Sequence, residues 1–159
     1  MTETVFLDRD GTINVKAPEG DYVKSWDEFR FLPGAVEAVR ALRDSGRRVV
    51  IVTNQRGIAL GRMSEQDLDE IHMRMLEELG PVDAIYHCPH DEGACDCRKP
   101  LPGMLERAAA EVPGVRLDHA VMIGDSESDI EAGRAAGAMT IRLDDTRDLA
   151  AAVKWLLAS

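Results

Sequence analysis

Short unbroken apolar runs alternate along this chain with longer stretches in which apolar residues recur every three or four positions. The runs Thr4 to Asp8, Arg48 to Thr53, Asp83 to His87, Ala120 to Gly124 and Met139 to Leu143 are each predicted to form a buried strand. Their lack of polar alternation suits strands covered on both faces. Between them, Val36, Val39 and Leu42 share one helical stripe that Pro33 opens and Gly46 closes. Leu68, Ile71, Met75 and Leu79 form a second stripe, entered through Ser64 with Asp67 three residues on and ended by Gly80-Pro81. Further helices are predicted over 102–111, 127–136 and 147–157. Such alternation of strand and helix predicts an α/β fold: a parallel sheet, joined by right-handed crossovers, with helices on both faces.

Composition narrows the picture. At 159 residues, without a repeat, a low-complexity stretch or a linker, residues 1–159 are expected to form a single domain. A hydrophobic fraction of 45% and a charged fraction of 30% fit a globular protein and argue against disorder. Nineteen basic residues against 29 acidic ones give a formal charge of −10, which disfavours nucleic acid and anionic lipid as partners. No run approaches the roughly 18 apolar residues of a membrane span. Met1 to Thr4 lack the basic and apolar regions of a signal peptide, so a cytoplasmic protein is expected, and a monomer, since no coiled coil or apolar patch is evident.

In open parallel sheets, ligands bind at the carboxyl ends of the strands. There the sequence puts Asp8 and Asp10, Thr53 and Asn54, a Cys/His cluster, and Asp125. The segments Asp8-Arg9-Asp10-Gly11-Thr12, Thr53-Asn54-Gln55, Arg98-Lys99-Pro100 and Gly124-Asp125-Ser126-Glu127-Ser128-Asp129 together resemble, in order and spacing, the four motifs of the haloacid dehalogenase superfamily. The resemblance covers nearly the whole chain. It implies a Rossmann-like fold, a Mg²⁺ cofactor and a phosphoaspartate intermediate.

Each residue type suits that chemistry. A phosphate monoester dianion repels an attacking carboxylate, so a nucleophile at Asp8 needs cations, which Mg²⁺ and Lys99 would supply. Asp8, Asp125 and the backbone carbonyl of Asp10 would suffice as protein ligands for an octahedral Mg²⁺, with Asp129 orienting the site from behind. Asp10, two residues from Asp8, would protonate the leaving alkoxide and then deprotonate the hydrolytic water. Thr53 and backbone N–H groups around Arg9, Asp10 and Asn54 would hold the phosphoryl oxygens.

Cys88, His90, Cys95 and Cys97 supply four ligands of the types Zn²⁺ accepts, enough to close a tetrahedral site. A closed site is structural: zinc would clip the loop that aims Arg98 and Lys99 at the rim. His72, His87 and His119 are expected to be ordinary helix or strand residues.

The stretch Phe6 to Asn14, the Thr53-Asn54-Gln55 run with Gly57-Ile58-Ala59, and Cys88-Pro89-His90 through Lys99-Pro100 look like the capless subfamily. That group holds D-glycero-D-manno-heptose 1,7-bisphosphate 7-phosphatases and histidinol-phosphate phosphatases, and Gly20 to Val23 with Trp26, Phe29 and Phe31 to Gly34 favour the heptose type. The resemblance implies substrate contacts from Arg9, Glu19, Gly20, Asp21, Tyr22, Asn54, Gln55, Arg56, Arg98 and Ser126. Arg56 departs from the small residue common there but could suit a second phosphate. Arg9, Arg56, Arg62, Arg98 and Lys99 are expected to make a local cationic pocket for a small phosphorylated sugar. Tyr22, Trp26, Phe29 and Phe31 equally fit a role as core anchors.

No insertion is long enough for a cap, so the site should be open. Two other classes remain. Phospho-accepting receiver modules also combine Asp, Thr, Lys and Mg²⁺, but they place the phosphorylated Asp after a central strand and lack an acid/base at the position of Asp10. A zinc-dependent interaction domain with an inactive site is the third.

Overall fold

A computed structural model of the protein describes residues 2–159. Five strands, β1 (Thr4–Leu7), β2 (Arg48–Asn54), β3 (Ala84–Cys88), β4 (Ala120–Gly124) and β5 (Met139–Arg142), form one sheet in the order β3-β2-β1-β4-β5. All four pairings are parallel. Five α-helices connect and cover them: α1 (Ala35–Asp44), α2 (Glu65–Leu79), α3 (Gly103–Glu111), α4 (Glu127–Ala135) and α5 (Leu149–Ala158).

Strand periodicity divides the core into two layers. Val5 and Leu7 of β1, Val49 and Ile51 of β2, and Val121 and Ile123 of β4 point to one face, where Val39 and Leu42 of α1, Ile71 and Met75 of α2, and Val153 and Leu156 of α5 cover them. Phe6, Val50, Val52 and Met122 point to the other, against Met104, Leu105 and Ala108 of α3 and Ala132 of α4. Each of the large side chains so buried contributes roughly 1.5–3 kcal/mol of transfer free energy. Both faces of β1, β2 and β4 are covered, which explains their continuous apolar runs, whereas the edge strands β3 and β5 are only partly buried, contrary to expectation, because each has a sheet neighbour on one side alone.

Helix ends follow the local signals. Ser64 caps α2 in a box with Asp67, as its spacing predicts, and Asp148 caps α5 so that the helix begins at Leu149 instead of residue 147. The first helix starts at Ala35, two residues after Pro33, because Gly34 still lies outside helical geometry. Strand bounds shift by one residue at most: β1 stops at Leu7, releasing Asp8, while β2 runs on to Asn54 and β3 covers 84–88.

The longest excursion between β1 and α1, residues 8–34, carries a single 3-10 turn at Trp26–Glu28 and no cap. It is pinned by stacking of Trp26 on Phe29, ring centroids 5.0 Å apart, and by the edge of Phe31 against Phe29 at the same separation. These three aromatics are core anchors; Tyr22 alone of the four turns to the rim.

Candidate active site

Because Leu7 pairs with both Ile51 and Ile123, Asp8 emerges beside Val52 and Gly124 while β2 runs on past it to Asn54. The Asp8 N–H still donates to the Ile123 carbonyl at 3.1 Å, which fixes its backbone to β4. Lys99 reaches this point from the loop after β3. Its Nζ donates to Asp8 Oδ1 at 2.7 Å, to Asp129 Oδ1 at 2.6 Å and to the Val52 carbonyl at 3.0 Å. The ammonium is buried and uses all three protons. Burial alone would lower its affinity for a proton, but the facing Asp8 and Asp129 carboxylates raise it, so Lys99 is charged.

Asp129 comes from the first turn of α4. Its Oδ2 accepts from Ser126 N at 3.1 Å and from Ser126 Oγ at 2.8 Å, closing a capping box, which leaves Oδ1 for Lys99. A side chain at position 124 would run into the Asp129 carboxylate, so the strand must end in glycine there.

Carboxylate oxygens of Asp8, Asp125 and Asp129 lie within 4.8 Å of one another. One ammonium cannot offset three such groups: burial, together with the Asp129 charge, pushes the Asp8 carboxyl up to about 8 despite the attraction of Lys99. The half-exposed Lys16 sends its ammonium to Asp125 Oδ2 at 3.0 Å, a cation drawn to the same centre. Asp125 Oδ1 is buried and has no hydrogen-bond partner. Clustered hard oxygen donors, an excess of negative charge and an orphaned carboxylate oxygen fit a divalent cation of the Mg²⁺ class. Gly11, at φ 85°, brings the loop so close to Asp125 that a β-carbon would meet its carboxylate.

Asp10 stands beside this cluster with both oxygens occupied. Oδ1 accepts from Arg9 Nη2 at 2.8 Å and from Asn14 Nδ2 at 2.8 Å, and Oδ2 accepts from Gln55 Nε2 at 3.0 Å. Burial would raise its pKa, but the Arg9 cation and these donors hold it below the usual carboxylate range. The side chain of Arg9 is fully buried beneath Asp10 and does not line the cleft, contrary to its expected place in a surface cationic pocket and as a substrate contact. Its guanidinium bonds inward to His72 Nε2 at 3.1 Å.

Thr53 also lies one step further back than its motif suggests. Only 1% of it is exposed, and its hydroxyl accepts from Gln55 Nε2 at 2.9 Å, so Gln55 presents to the cleft what Thr53 supports. Asn54 clamps the Lys99 backbone, donating to its carbonyl at 3.1 Å and accepting from its N–H at 3.0 Å.

The cleft above these groups encloses about 290 Å³ and is bounded by Lys16 and Asp21 to Val23 on one side, and Arg98, Ser126 and Ser128 on the other. Asp21, Tyr22, Asn54, Gln55, Arg98 and Ser126 therefore stand where substrate contacts were expected. Glu19 and Gly20 point into solvent outside it. Arg56 is likewise not a lining residue: its Nε donates to Asp91 Oδ1 at 2.6 Å, tying the loop after β2 to the Cys/His loop.

In that loop, one atom each of Cys88, His90, Cys95 and Cys97 lies within 4.8 Å of the other three. His90 Nδ1 is 3.5 Å from Cys88 Sγ and 3.3 Å from Cys97 Sγ, and Cys95 Sγ is 3.4 Å from both other sulfurs. Three thiols and an imidazole converging on one point, with no oxygen donor among them, fit a four-coordinate Zn²⁺.

Four residues at the site carried no legible signal. Lys16 and Ser128 are loop and helix-start polar residues like many others, Asn14 shows its role only when folded onto Asp10, and His72 sits beside an apolar helical stripe. Asp8 follows the spatially central strand, so strand position does not separate this chain from a receiver module; Asp10 does.

Residues 2–137 match the family model of haloacid dehalogenase-like hydrolases. The chain is 43% identical over 143 residues to a D-glycero-beta-D-manno-heptose-1,7-bisphosphate 7-phosphatase of Pseudomonas putida, covering 86% of this chain and 79% of that protein. A protein of the same name from Rhodopseudomonas palustris is 40% identical over 164 residues, covering 96% and 88%. Among solved structures, the D,D-heptose 1,7-bisphosphate phosphatase of B. bronchiseptica, complexed with magnesium and phosphate, superposes with a TM-score of 0.86 at 33% identity over 99% of both chains.

Proposed function

The chain belongs to the haloacid dehalogenase-like hydrolase family, and on that footing we propose that it is a Mg²⁺-dependent phosphatase that removes the 7-phosphate of D-glycero-D-manno-heptose 1,7-bisphosphate through a phosphoaspartate on Asp8. The observation that carries the reading is the Lys99 ammonium held between Asp8 and Asp129 at the carboxyl end of the central strand, with Asp125 alongside. Such a centre suits a phosphoryl group, whose accumulating charge the flanking cation offsets.

In the first step an Asp8 carboxylate oxygen attacks phosphorus, and the bond to the sugar oxygen breaks as Asp10 delivers a proton to that oxygen. In the second, Asp10 takes a proton from water, the water oxygen attacks phosphorus, and the bond to Asp8 breaks, freeing Asp8 and leaving Asp10 protonated; that proton returns to solvent as the phosphate product leaves. Asp10 rests ionised, held so by Arg9, Asn14 and Gln55; the approach of a phosphate dianion raises its proton affinity for the first step. Lys99 keeps Asp8 oriented and offsets charge on the phosphoryl oxygens. Backbone N–H groups around Asp10 and Asn54 would bind those oxygens, while Gln55, both of whose amide protons are given to Asp10 and Thr53, holds the wall of the cleft beside them. Mg²⁺ held by Asp8, Asp125 and the Asp10 carbonyl, with Asp129 behind, would supply the remaining positive charge when bound.

Asp21, Tyr22, Arg98 and Ser126 would meet the sugar and its second phosphate. Zn²⁺ on Cys88, His90, Cys95 and Cys97 would hold Arg98 in place. The same reading makes the protein a monomeric, single-domain cytoplasmic enzyme: thiols clustered as metal ligands suit a reducing compartment, and a charge of −10 suits neither nucleic acid nor anionic lipid. No described helix is long and apolar enough to cross a membrane.

The test is phosphate release, with Mg²⁺ present, from both anomers of heptose 1,7-bisphosphate and from histidinol phosphate. Multiple turnover with preference for a heptose bisphosphate is expected. A preference for histidinol phosphate, or a single stoichiometric phosphorylation without release, would overturn the proposal.

A further inference from the structure

Beneath the cleft lies a buried polar pair of which the reaction described above uses only the charge that Arg9 sets against Asp10. The Arg9 side chain has no solvent exposure, yet it carries a charge that burial makes costly unless paired. Its Nη2 donates to Asp10 Oδ1 at 2.8 Å, its Nη1 faces His72 Nε2 at 3.1 Å, and its guanidinium carbon lies 5.8 Å from the centre of the Phe29 ring. His72, only 8% exposed, sits beside the apolar stripe of α2, a helix that otherwise buries Leu68, Ile71, Met75 and Leu79. An arginine has no acceptor, so the imidazole must accept through Nε2 and carry its proton on Nδ1.

We propose that His72 is a positioning residue for the phosphatase reaction: as a neutral acceptor it fixes the Arg9 guanidinium, which in turn holds Asp10 at the angle from which it exchanges protons with the leaving group. Neither Arg9 nor His72 touches the substrate through its side chain. The inference rests on the reading of Asp10 as proton donor. Neutrality of the acceptor is the point of the arrangement. A carboxylate at position 72 would share the Arg9 charge and weaken its hold on Asp10, whereas an imidazole orients the guanidinium and leaves the whole charge facing Asp10. Burial and the adjacent Arg9 cation push His72 down to about 3, consistent with a neutral ring.

Leaving-group dependence tests this. An alkoxide needs the proton from Asp10, whereas nitrophenolate departs without one, and kcat/KM reports the steps up to departure. His72→Leu, which removes the acceptor, and His72→Gln, which keeps one near the Nε2 position, are compared with the wild type on a primary alkyl phosphate and on p-nitrophenyl phosphate with Mg²⁺. The alkyl-to-aryl ratio of kcat/KM is expected to drop ~10-fold in His72→Leu and to return to within ~2-fold of wild type in His72→Gln. Should His72→Leu fail to fold, His72→Asn, whose amide is one methylene too short to reach Nη1, takes its place. An unchanged ratio in the variant lacking the acceptor, even with both rates reduced, would mean a purely structural histidine and overturn the proposal. A wild-type protein that hydrolyses neither these esters nor heptose 1,7-bisphosphate, whose 7-phosphate is itself a primary alkyl phosphate, would overturn the phosphatase reading itself, whereas wild-type turnover with an unchanged ratio overturns only the role of His72.

Discussion

The Lys99 ammonium lies 2.7 Å from Asp8 Oδ1, joining residues 91 apart in sequence at the end of the central strand. The same nitrogen holds Asp129 at 2.6 Å, so one buried cation orders two buried carboxylates. Replacing Lys99 by Met leaves both unpaired. A loss of roughly 3–5 kcal/mol is expected in the absence of divalent cation, with a partial recovery on adding Mg²⁺ and with turnover down at least ~10³-fold. Urea unfolding with and without Mg²⁺ measures this; stability indifferent to both the substitution and the metal would contradict it.

Asp8→Asn should behave in the opposite way in the fold and the same way in activity. Burial pushes this carboxyl up to about 8, so a neutral amide of the same shape relieves charge crowding. Unfolding midpoints at or above wild type without metal are expected, together with loss of turnover by ~10⁴-fold or more, since no other group can carry the phosphoryl. A folded variant that still turned over would remove Asp8 from the chemistry.

Acid sensitivity should report on His72. An unfolded histidine titrates near 6.5, but in the folded protein burial and Arg9 push it down to about 3. Between those values the unfolded chain binds a proton that the native protein does not, so stability is intact above pH 6.5 and falls as pH drops toward 3. The limiting slope is roughly 1.4 kcal/mol per pH unit. His72→Gln lacks that contribution, so the stability gap between the two proteins should close or reverse from pH 7 to pH 5. Parallel pH profiles would refute it.

At Gly11 the backbone is left-handed and a β-carbon would meet the Asp125 carboxylate. Gly11→Ala is expected to displace Asp125 and weaken Mg²⁺ binding at least ~10-fold, beyond the ~1 kcal/mol that the backbone conformation itself costs. Calorimetric titration with Mg²⁺ checks this without reference to turnover; unaltered affinity would show that Asp125 is not a ligand.

The two basic residues flanking the Cys/His loop should separate cleanly. Arg98 lines the cleft, whereas Arg56 is spent on Asp91. Arg98→Ala is expected to raise KM for the bisphosphate ~10-fold or more, and Arg56→Ala to change it less than ~3-fold. Cys97→Ser or zinc chelation should resemble Arg98→Ala, with a lower unfolding temperature as well. An effect of Arg56→Ala as large as that of Arg98→Ala would restore Arg56 as a substrate contact.

Much of this architecture is legible in the chain because its signals are local. The five apolar runs became the five strands to within a residue, the central three covered on both faces and the two edge strands partly exposed. Asp8, Asp125 and Asp129 could be gathered in advance because each follows a strand or lies in the first turn of a helix, and parallel topology brings such ends together, whereas Lys99, in the loop between β3 and α3, is legible only through the order of the motifs. Side-chain direction is another matter. Arg9, between two carboxylates in sequence, looks like a rim cation, and only the packing of α2 shows that it turns inward to His72. Arg56 is claimed by Asp91 through a contact that no local spacing encodes, and Thr53 is screened by Gln55, two residues on, once the chain turns at the strand end.

The strand that carries Asp8 is bordered on both sides, while the one that leads into the Cys/His loop is at the margin of the sheet. Thermal fraying begins at margins, where a strand has a single neighbour to lose. The phosphoryl acceptor and the recognition loop therefore hang from parts of the molecule with different opening energies. On warming, the protein should loosen its grip on the sugar while the acceptor is still in register, and amide exchange should show the slow core at 4–7 and 120–124 outlasting 84–88.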